Sequence, residues 1–307
     1  MKKIVFTLLC TAIGLCAGAQ KSLLELESGK HKIYHSIAEG LQEPQAVVLL
    51  NLRQTELTEI SGEVGRFKNL RYINLMKNSI SALPDELFDL QELREISGRE
   101  NKIGGLSPKC RQLKNLTFLD LSKNSLEQLP NEIKGIAKLE MLNVAENKLT
   151  ALPKTIGSLP VLHTLTLDKN KLTNLPKGLA KAKRLTQFSA AYNQLTSVGD
   201  LFRNKNVSAI NLDHNALTAL PSDLTKAKNL KILMLSFNQL TALPESLCAL
   251  EQLETLVISY NPIEKLPNSL GRLRNLRTLI AIETHLSATE QARVRQLVPA
   301  GCDVRFE

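Results

Sequence analysis

Tryptophan is absent from the 307 residues, and aromatic side chains make up only 4% of them. A grouping of rings on one surface is therefore not expected from composition. Order is not lacking, because 43% of the chain is hydrophobic, which excludes a wholly disordered protein. No apolar run approaches the ~20 residues that span a bilayer. Neither sign of charge dominates: 39 Lys and Arg stand against 30 Asp and Glu, a formal +9 spread along the chain, with weak pull towards anionic surfaces. Basic residues alternate with acidic ones, a poor pattern for nucleic acid. The patterns G-x-x-x-x-G-K-[ST], G-x-S-x-G and H-E-x-x-H are missing, and no cysteines stand in CxxC or zinc spacing. His31 and His35 are four residues apart and could share a helix face as metal ligands or be a solvated pair; no third ligand is evident. The sequence thus points to no enzyme, metal or cofactor.

The first residues have three parts. Lys2 and Lys3 precede a twelve-residue apolar run, Ile4 to Leu15, and Ala17-Gly18-Ala19 lies before Gln20. This layout predicts a secretory signal peptide over 1–19, cleaved near Ala19-Gln20, of bacterial appearance. An uncleaved or lipidated end is the alternative, although Leu9 and Leu15 before Cys10 and Cys16 do not suit lipidation. The expected location is periplasmic or secreted, with no membrane span.

What the chain has in abundance is leucine at fixed intervals. A single asparagine marks each interval: Asn78, Asn101, Asn124, Asn147, Asn170, Asn193, Asn215, Asn238 and Asn261. The steps are 23 with one of 22, and Thr55 and Thr284 continue the register. Around each stands L-x-x-L-x-L-x-x-N-x-L-x-x-L-P, as in Leu116, Leu119, Leu121, Asn124, Leu126, Leu129 and Pro130. Eleven copies begin at Val47, Leu70, Leu93, Leu116, Leu139, Leu162, Leu185, Val207, Leu230, Leu253 and Leu276. This pattern resembles the leucine-rich-repeat superfamily in its 23-residue form, over about residues 47–298. The resemblance implies an α/β solenoid, a horseshoe with a parallel β-sheet on its concave face and short helices or turns on its convex face. Such arrays mostly serve as rigid platforms for protein recognition.

Each position has a physical reason. The x-L-x-L-x stretch alternates and predicts a short strand. Neighbouring copies bury their leucines together, so stability adds along the stack. The nine asparagines are expected to turn inward as a buried structural ladder, where each amide serves backbone groups otherwise buried and unpaired. Pro after the last leucine sits where no ladder N–H is needed. Gly98 in the third copy and Ala190 in the seventh replace core leucines, and the seventh is one residue short near Val198-Gly199-Asp200. Looser packing or a bend is expected at both.

The expected layout is a signal peptide (1–19), an N-terminal cap (20–46), eleven repeats (47–286, the last merging into the cap) and a C-terminal cap (287–307). Leu23, Leu24, Leu26, Ile33, Ile37 and Leu41 predict an amphipathic, partly helical first cap. Ser287-x-x-Glu290 predicts a capping box opening a helix, and Cys302 to Phe306 a final edge strand. Cys110 and Cys248 fall six rungs apart, on the order of 29 Å, too far for a disulfide. With Cys302 beyond them, three unpaired thiols are expected.

Residues between the leucines face the concave side and are free to vary, so partner choice should reside there. The slot before the Asn reads Gln54, Lys77, Glu100, Lys123, Glu146 and Lys169, then Tyr192, His214, Phe237 and Tyr260, then Glu283. Four rings thus occupy consecutive copies. Ile232, Met234, Val257, Ile280 and Ile282 are expected to be exposed beside them, whereas early copies offer Arg53, Arg71, Arg94 and Arg99. The rings either anchor a partner or only stack along the sheet. The leading expectation is a secreted or periplasmic non-enzymatic scaffold that binds a protein or peptide through this face. A cell-envelope structural or adhesive protein is the alternative, and a glycan-binding module, favoured by Asn211 and Asp213 beside His214, a weaker one.

Overall fold

The computed structural model describes residues 29–307. The expected signal peptide, Cys10 and Cys16, and Leu23, Leu24 and Leu26 of the first cap lie outside them. Among the described residues, thirteen strands form one parallel sheet in which each pairs only with its neighbours in sequence. β1 (Ile33–Tyr34) comes from the N-terminal flank. The eleven copies supply β2 (Leu49–Asn51) through β12 (Thr278–Ile280), and β13 (Asp303–Arg305) closes the series.

The strands of the eleven copies are three residues long because only that much of each coil alternates. In β7 (Thr164–Thr166), Leu165 points inward between two threonines that face out. Leu162, Leu165, Leu167, Leu172 and Leu179 of the same coil are fully buried. A buried leucine contributes roughly 1.5–3 kcal/mol, and here only once the next coil covers it. The other half of each coil closes with a 3₁₀ turn. Pro84, Pro130, Pro176 and Pro244 stand directly before five-residue 3₁₀ helices, where the lost N–H costs nothing.

The asparagines line the interior edge of the coils. Asn147 Nδ2 donates to the carbonyls of Leu121, Val144 and Ala145 at 2.9, 3.0 and 3.1 Å, and its Oδ1 accepts from Leu126 N at 2.9 Å. The same set recurs at every other copy. Asn78 donates to Leu52 O and Leu75 O and accepts from Leu57 N. Asn101 donates to Leu75 O and Gly98 O and accepts from Ile80 N. Asn124 joins Gly98 O, Leu121 O and Ile103 N. Asn170 joins Val144 O, Leu167 O and Leu149 N. Asn193 joins Leu167 O, Ala190 O and Leu172 N. Asn215, after the 22-residue step, still joins Ala190 O, Leu212 O and Leu195 N. Asn238 joins Leu212 O, Leu235 O and Leu217 N, and Asn261 joins Leu235 O, Ile258 O and Leu240 N. One side chain therefore satisfies backbone groups of two coils.

Depth along this ladder is less uniform than its bonding, which corrects the expectation of nine buried amides. Asn147, Asn170, Asn238 and Asn261 are buried. Asn78, Asn101, Asn124, Asn193 and Asn215 are only half-buried. The bonds fix where the amide points, but the side chains around the coil edge decide how much water reaches it. At the ends, the hydroxyls of Thr55 and Thr284 donate to Leu52 O and Ala281 O. A second series escaped the sequence reading. Asn69, Asn115, Asn206 and Asn275, each just before the first apolar position of a copy, donate to the carbonyls of Gln45, Gln91, Lys183 and Glu251 in the preceding coil.

Several further expectations need correction. Packing at Gly98 is not loose: Leu121 Cδ2 lies 2.9 Å from where a Cβ would stand. Ala190 is buried beside Phe188, which brings extra volume to the preceding inward position. The short seventh copy is absorbed by Gly199 at φ +52°, in a site where a Cβ would meet Leu175 O at 2.8 Å. In the first cap, helix α1 spans only Ile37–Gly40, so β1 and not a helix lies between His31 and His35, and they share no helix face. Ser287 caps helix α2 (Ala288–Leu297) by accepting from Glu290 N. The Glu290 carboxylate does not complete a box; it accepts from Leu266 N at 2.9 Å and pairs with Arg293, tying the cap to the repeats. Cys110, Cys248 and Cys302 are free, and burial pushes the first two thiols up to about 12 and about 11.

Candidate functional site

The eleven residues before the Asn positions are not strand residues, as the concave-face reading supposed. All of them, from Gln54 to Glu283, adopt left-handed backbone with φ between 53° and 58°. Non-glycine residues adopt this conformation at a cost of roughly 1–2 kcal/mol. The turn follows the strand and lets the next residue, the Asn, enter the core. Ladder bonds to the following coil hold it: Tyr192 N donates to Asp213 O at 2.9 Å, Phe237 N to Ser259 O at 2.9 Å and Tyr260 N to Ile282 O at 2.8 Å. The column therefore runs along the edge of the concave face, past the strand ends.

There the four rings stack. Tyr192 and His214 have centroids 3.9 Å apart, His214 and Phe237 3.9 Å, and Phe237 and Tyr260 4.1 Å, with planes within 13°, 10° and 11° of parallel. Tyr192, Phe237 and Tyr260 remain 42%, 41% and 41% exposed. The faces of His214 and Phe237 are covered on both sides, so they present edges to solvent. Desolvation holds His214 below the usual histidine range, favouring its neutral form.

The neighbouring apolar residues differ from expectation. Met234, Val257 and Ile280 are 2%, 2% and 5% exposed. They sit opposite one another in β10 (Ile232–Met234), β11 (Thr255–Val257) and β12, and adjacent strands ~4.8 Å apart bring such side chains into contact. Together with the partly buried Ile232 and Ile282 they form a cluster separate from the main core. They are a floor, with Ile232 and Ile282 at its margins.

In the first half of the same edge column the contacts are ionic. Lys123 Nζ lies 3.4 Å from Glu100, which also pairs with Arg99, and Lys169 Nζ lies 3.5 Å from Glu146. Such exposed pairs are typically worth ~0.2–1 kcal/mol each.

Three concave-face acids were missed or underweighted in the sequence. Asp120 Oδ1 accepts from Ser122 N at 2.8 Å. Asp168 Oδ1 accepts from Ser189 Oγ at 2.5 Å and Ala191 N at 2.8 Å. Asp213 Oδ1 accepts from Ser236 N at 2.6 Å, while its Oδ2 is buried with no partner. Burial raises all three carboxyls, that of Asp213 up to about 7. The available signal was positional: Asp168 and Asp213 occupy the slot after the second strand leucine, which Ala191, Ser236 and Ser259 fill in neighbouring copies. Among the described residues no group of three or more His, Cys, Asp or Glu is placed to hold a metal, and no helix is long and apolar enough to cross a membrane.

The profile of the family described as Leucine rich repeat matches residues 99–149, 205–263 and 228–286. No curated protein matches the chain in sequence. Among solved structures, a leucine-rich-repeat protein of Leptospira interrogans is 34% identical with a TM-score of 0.80, over 85% of this chain and 67% of that one. The ectodomain of the Arabidopsis thaliana receptor kinase GASSHO1/SCHENGEN3, in complex with Casparian strip integrity factor 2, is 31% identical with a TM-score of 0.70. That match covers 79% of this chain, which spans only 30% of the ectodomain. The functional domain of InlJ from Listeria monocytogenes, which includes a cysteine ladder, is 27% identical with a TM-score of 0.67, over 82% and 53% of the two chains. Here asparagine and not cysteine recurs at the coil edge. With this coil, sheet order and similarity to the Leptospira protein, the chain belongs to the leucine-rich-repeat family.

Proposed function

We propose that this chain is a secreted or periplasmic, non-enzymatic scaffold that recognises a protein or peptide along the ring-bearing edge of its concave face. Tyr192, Phe237 and Tyr260 are its anchors, with His214 wedged between them and Ile232 beside them. Members of the family generally act as binding scaffolds, and the related plant ectodomain is in complex with Casparian strip integrity factor 2. Lys2, Lys3 and the apolar run to Leu15 support export.

The observation that carries the reading is the stack itself. Three large rings in strained backbone remain two-fifths exposed on a chain with few aromatics. Such anchors dominate binding energetics when a partner covers them. Mutual stacking covers both faces of His214 and Phe237 and one face each of Tyr192 and Tyr260, so most of the stack offers ring edges, which suit a protein surface better than a glycan. Nucleic acid fits poorly, because Lys123 and Lys169 of the same column are paired with Glu100 and Glu146.

Affinity capture from envelope and host extracts tests this, with wild-type protein beside Y192A/F237A/Y260A. A partner retained by the wild type and lost by the triple variant, with its circular dichroism intact, is expected. Equal capture by both would refute the anchoring role.

A further inference from the structure

We propose that the loop flank of copies six to eight seats the solenoid on an anionic lipid bilayer, by charge and without insertion. This goes beyond the ring-bearing edge and does not depend on it.

The six residues that carry it are far apart in sequence. Lys181 and Lys183 stand in copy six, Arg203 and Lys205 in copy seven, and Lys226 and Lys228 in copy eight. Each pair brackets a buried residue, Ala182, Asn204 or Ala227, so that its two cations point out together. Coiling lays the pairs on consecutive rungs, on the order of 5 Å apart. The result is a block of two columns by three rungs, with all six side chains exposed. The 22-residue step does not break it. Asn204, 1% exposed, donates to Leu179 O and Ala182 O at 2.9 Å and brings the turn of the short copy back into register.

The coil does not require these charges. Ser158 and Pro160 fill the same two positions one copy earlier, and Ala249 and Glu251 one copy later. Like charges this close repel, and counter-charges are few. Of the six, only Arg203 is held in an ion pair among the described residues, with Asp200 at 3.8 Å. Asp223, the other acid nearby, accepts instead from Thr225 N and Oγ1. Clusters of roughly four to eight cations are what an anionic leaflet attracts.

The chemistry favours a bilayer over a nucleic acid or a protein. Five of the six are Lys, flexible point charges suited to lipids that rearrange beneath them, and not the planar forks that fix one phosphate geometry. Neither column holds a ring on which bases could stack. The exposed large apolar side chains are Tyr192, Phe237 and Tyr260, which lie across the sheet: Lys183 comes four residues before β8 (Gln187–Ser189) and Tyr192 three after it. The flank therefore has no apolar anchor, and a solenoid seated on it keeps its ring edge free.

The full chain is sedimented with vesicles of phosphatidylcholine alone, or of equal parts phosphatidylcholine and phosphatidylglycerol. Lys2, Lys3 and the apolar run to Leu15 are common to every variant, so differences between variants are not theirs. The wild type should bind the anionic vesicles far more tightly at low salt and lose that gain at high salt. K183Q/K205Q/K228Q should weaken binding to them by about 100-fold, roughly fivefold for each lysine, with an unchanged melting transition. K77Q/K123Q/K169Q removes the same charge from the ring column and should keep the gain. Y192A/F237A/Y260A should keep it too, so failure of the anchors and failure of the flank read differently. No gain in the wild type, its survival in K183Q/K205Q/K228Q, its loss in either control variant, or tighter binding to duplex DNA than to the anionic vesicles at equal phosphate would overturn the proposal.

Discussion

One column of this solenoid is written in two chemistries. From Lys77 to Lys169 it carries charged side chains, of which Glu100–Lys123 and Glu146–Lys169 pair across adjacent rungs. From Tyr192 to Tyr260 it carries four stacked rings. The backbone is the same in both, left-handed at every position, and the Asn beneath makes the same bonds. The difference therefore lies in what is offered outward. Ions in water are already well solvated, and a partner gains little by covering them. Ring edges are not, and covering them releases apolar area at roughly 25 cal/mol per Å². The scaffold is uniform, and on the proposed reading its adhesiveness is local.

The largest expected effect breaks this comparison at the level of binding. Y192A/F237A/Y260A should weaken a captured partner by about 100-fold or more, at ~2 kcal/mol for each good anchor, whereas K123A/E146A/K169A should change affinity by less than about fivefold. Surface plasmon resonance on the same partner reads both. A second test asks whether the scaffold beneath is truly shared. N147A under the charged half and N238A under the rings should each cost ~3 kcal/mol in urea unfolding, because each leaves several buried backbone groups unpaired. A marked inequality would mean the two halves are held differently.

Protonation sharpens the contrast further. The Asp213 carboxyl is pushed up to about 7 by burial, above its usual ~3.9 in an unfolded chain. The folded state then binds the proton more tightly, so stability should fall as pH rises from about 4 to about 7 and level off beyond. D213N should remove on the order of 4 kcal/mol of that fall, with Asp120 and Asp168, raised in the same direction, leaving a smaller remainder. Equal slopes in urea melts of the two proteins across this range would contradict the burial argument. The smallest effect concerns the column alone: F237A should lose about 1 kcal/mol of stacking, independent of salt, and E146A about 0.5 kcal/mol or less, vanishing at high ionic strength.

Much of this architecture was legible because every coil repeats the same decision. A strand, an inward leucine pair and an Asn recur at one spacing, so an error at one copy is corrected by the next. What was misjudged depended on neighbours in adjacent coils. Leu121 fills the space that Gly98 vacates. Met234, Val257 and Ile280 shield one another, although alternation alone assigns each to an open face. Asn170 is buried and Asn193 in the next coil only half so, with the same bonds at both. Glu290 leaves Ser287 for Leu266 N, 24 residues away. The ring column was visible as a run of residue types, but its left-handed turn was not, because the conformation comes from inter-coil hydrogen bonds. Asp213 was noted only as a neighbour of His214, since an unpartnered oxygen is a property of the surroundings and not of the residue.

By itself the sequence determined the coil, the order of the strands and the inward asparagines, since each follows from a local pattern repeated at a constant period. Only the tertiary structure decided depth: which concave side chains stay in water, which rings cover each other's faces and which carboxyl is left without a partner. Depth is set by what the adjacent rungs place within a few ångströms, and no single period contains that.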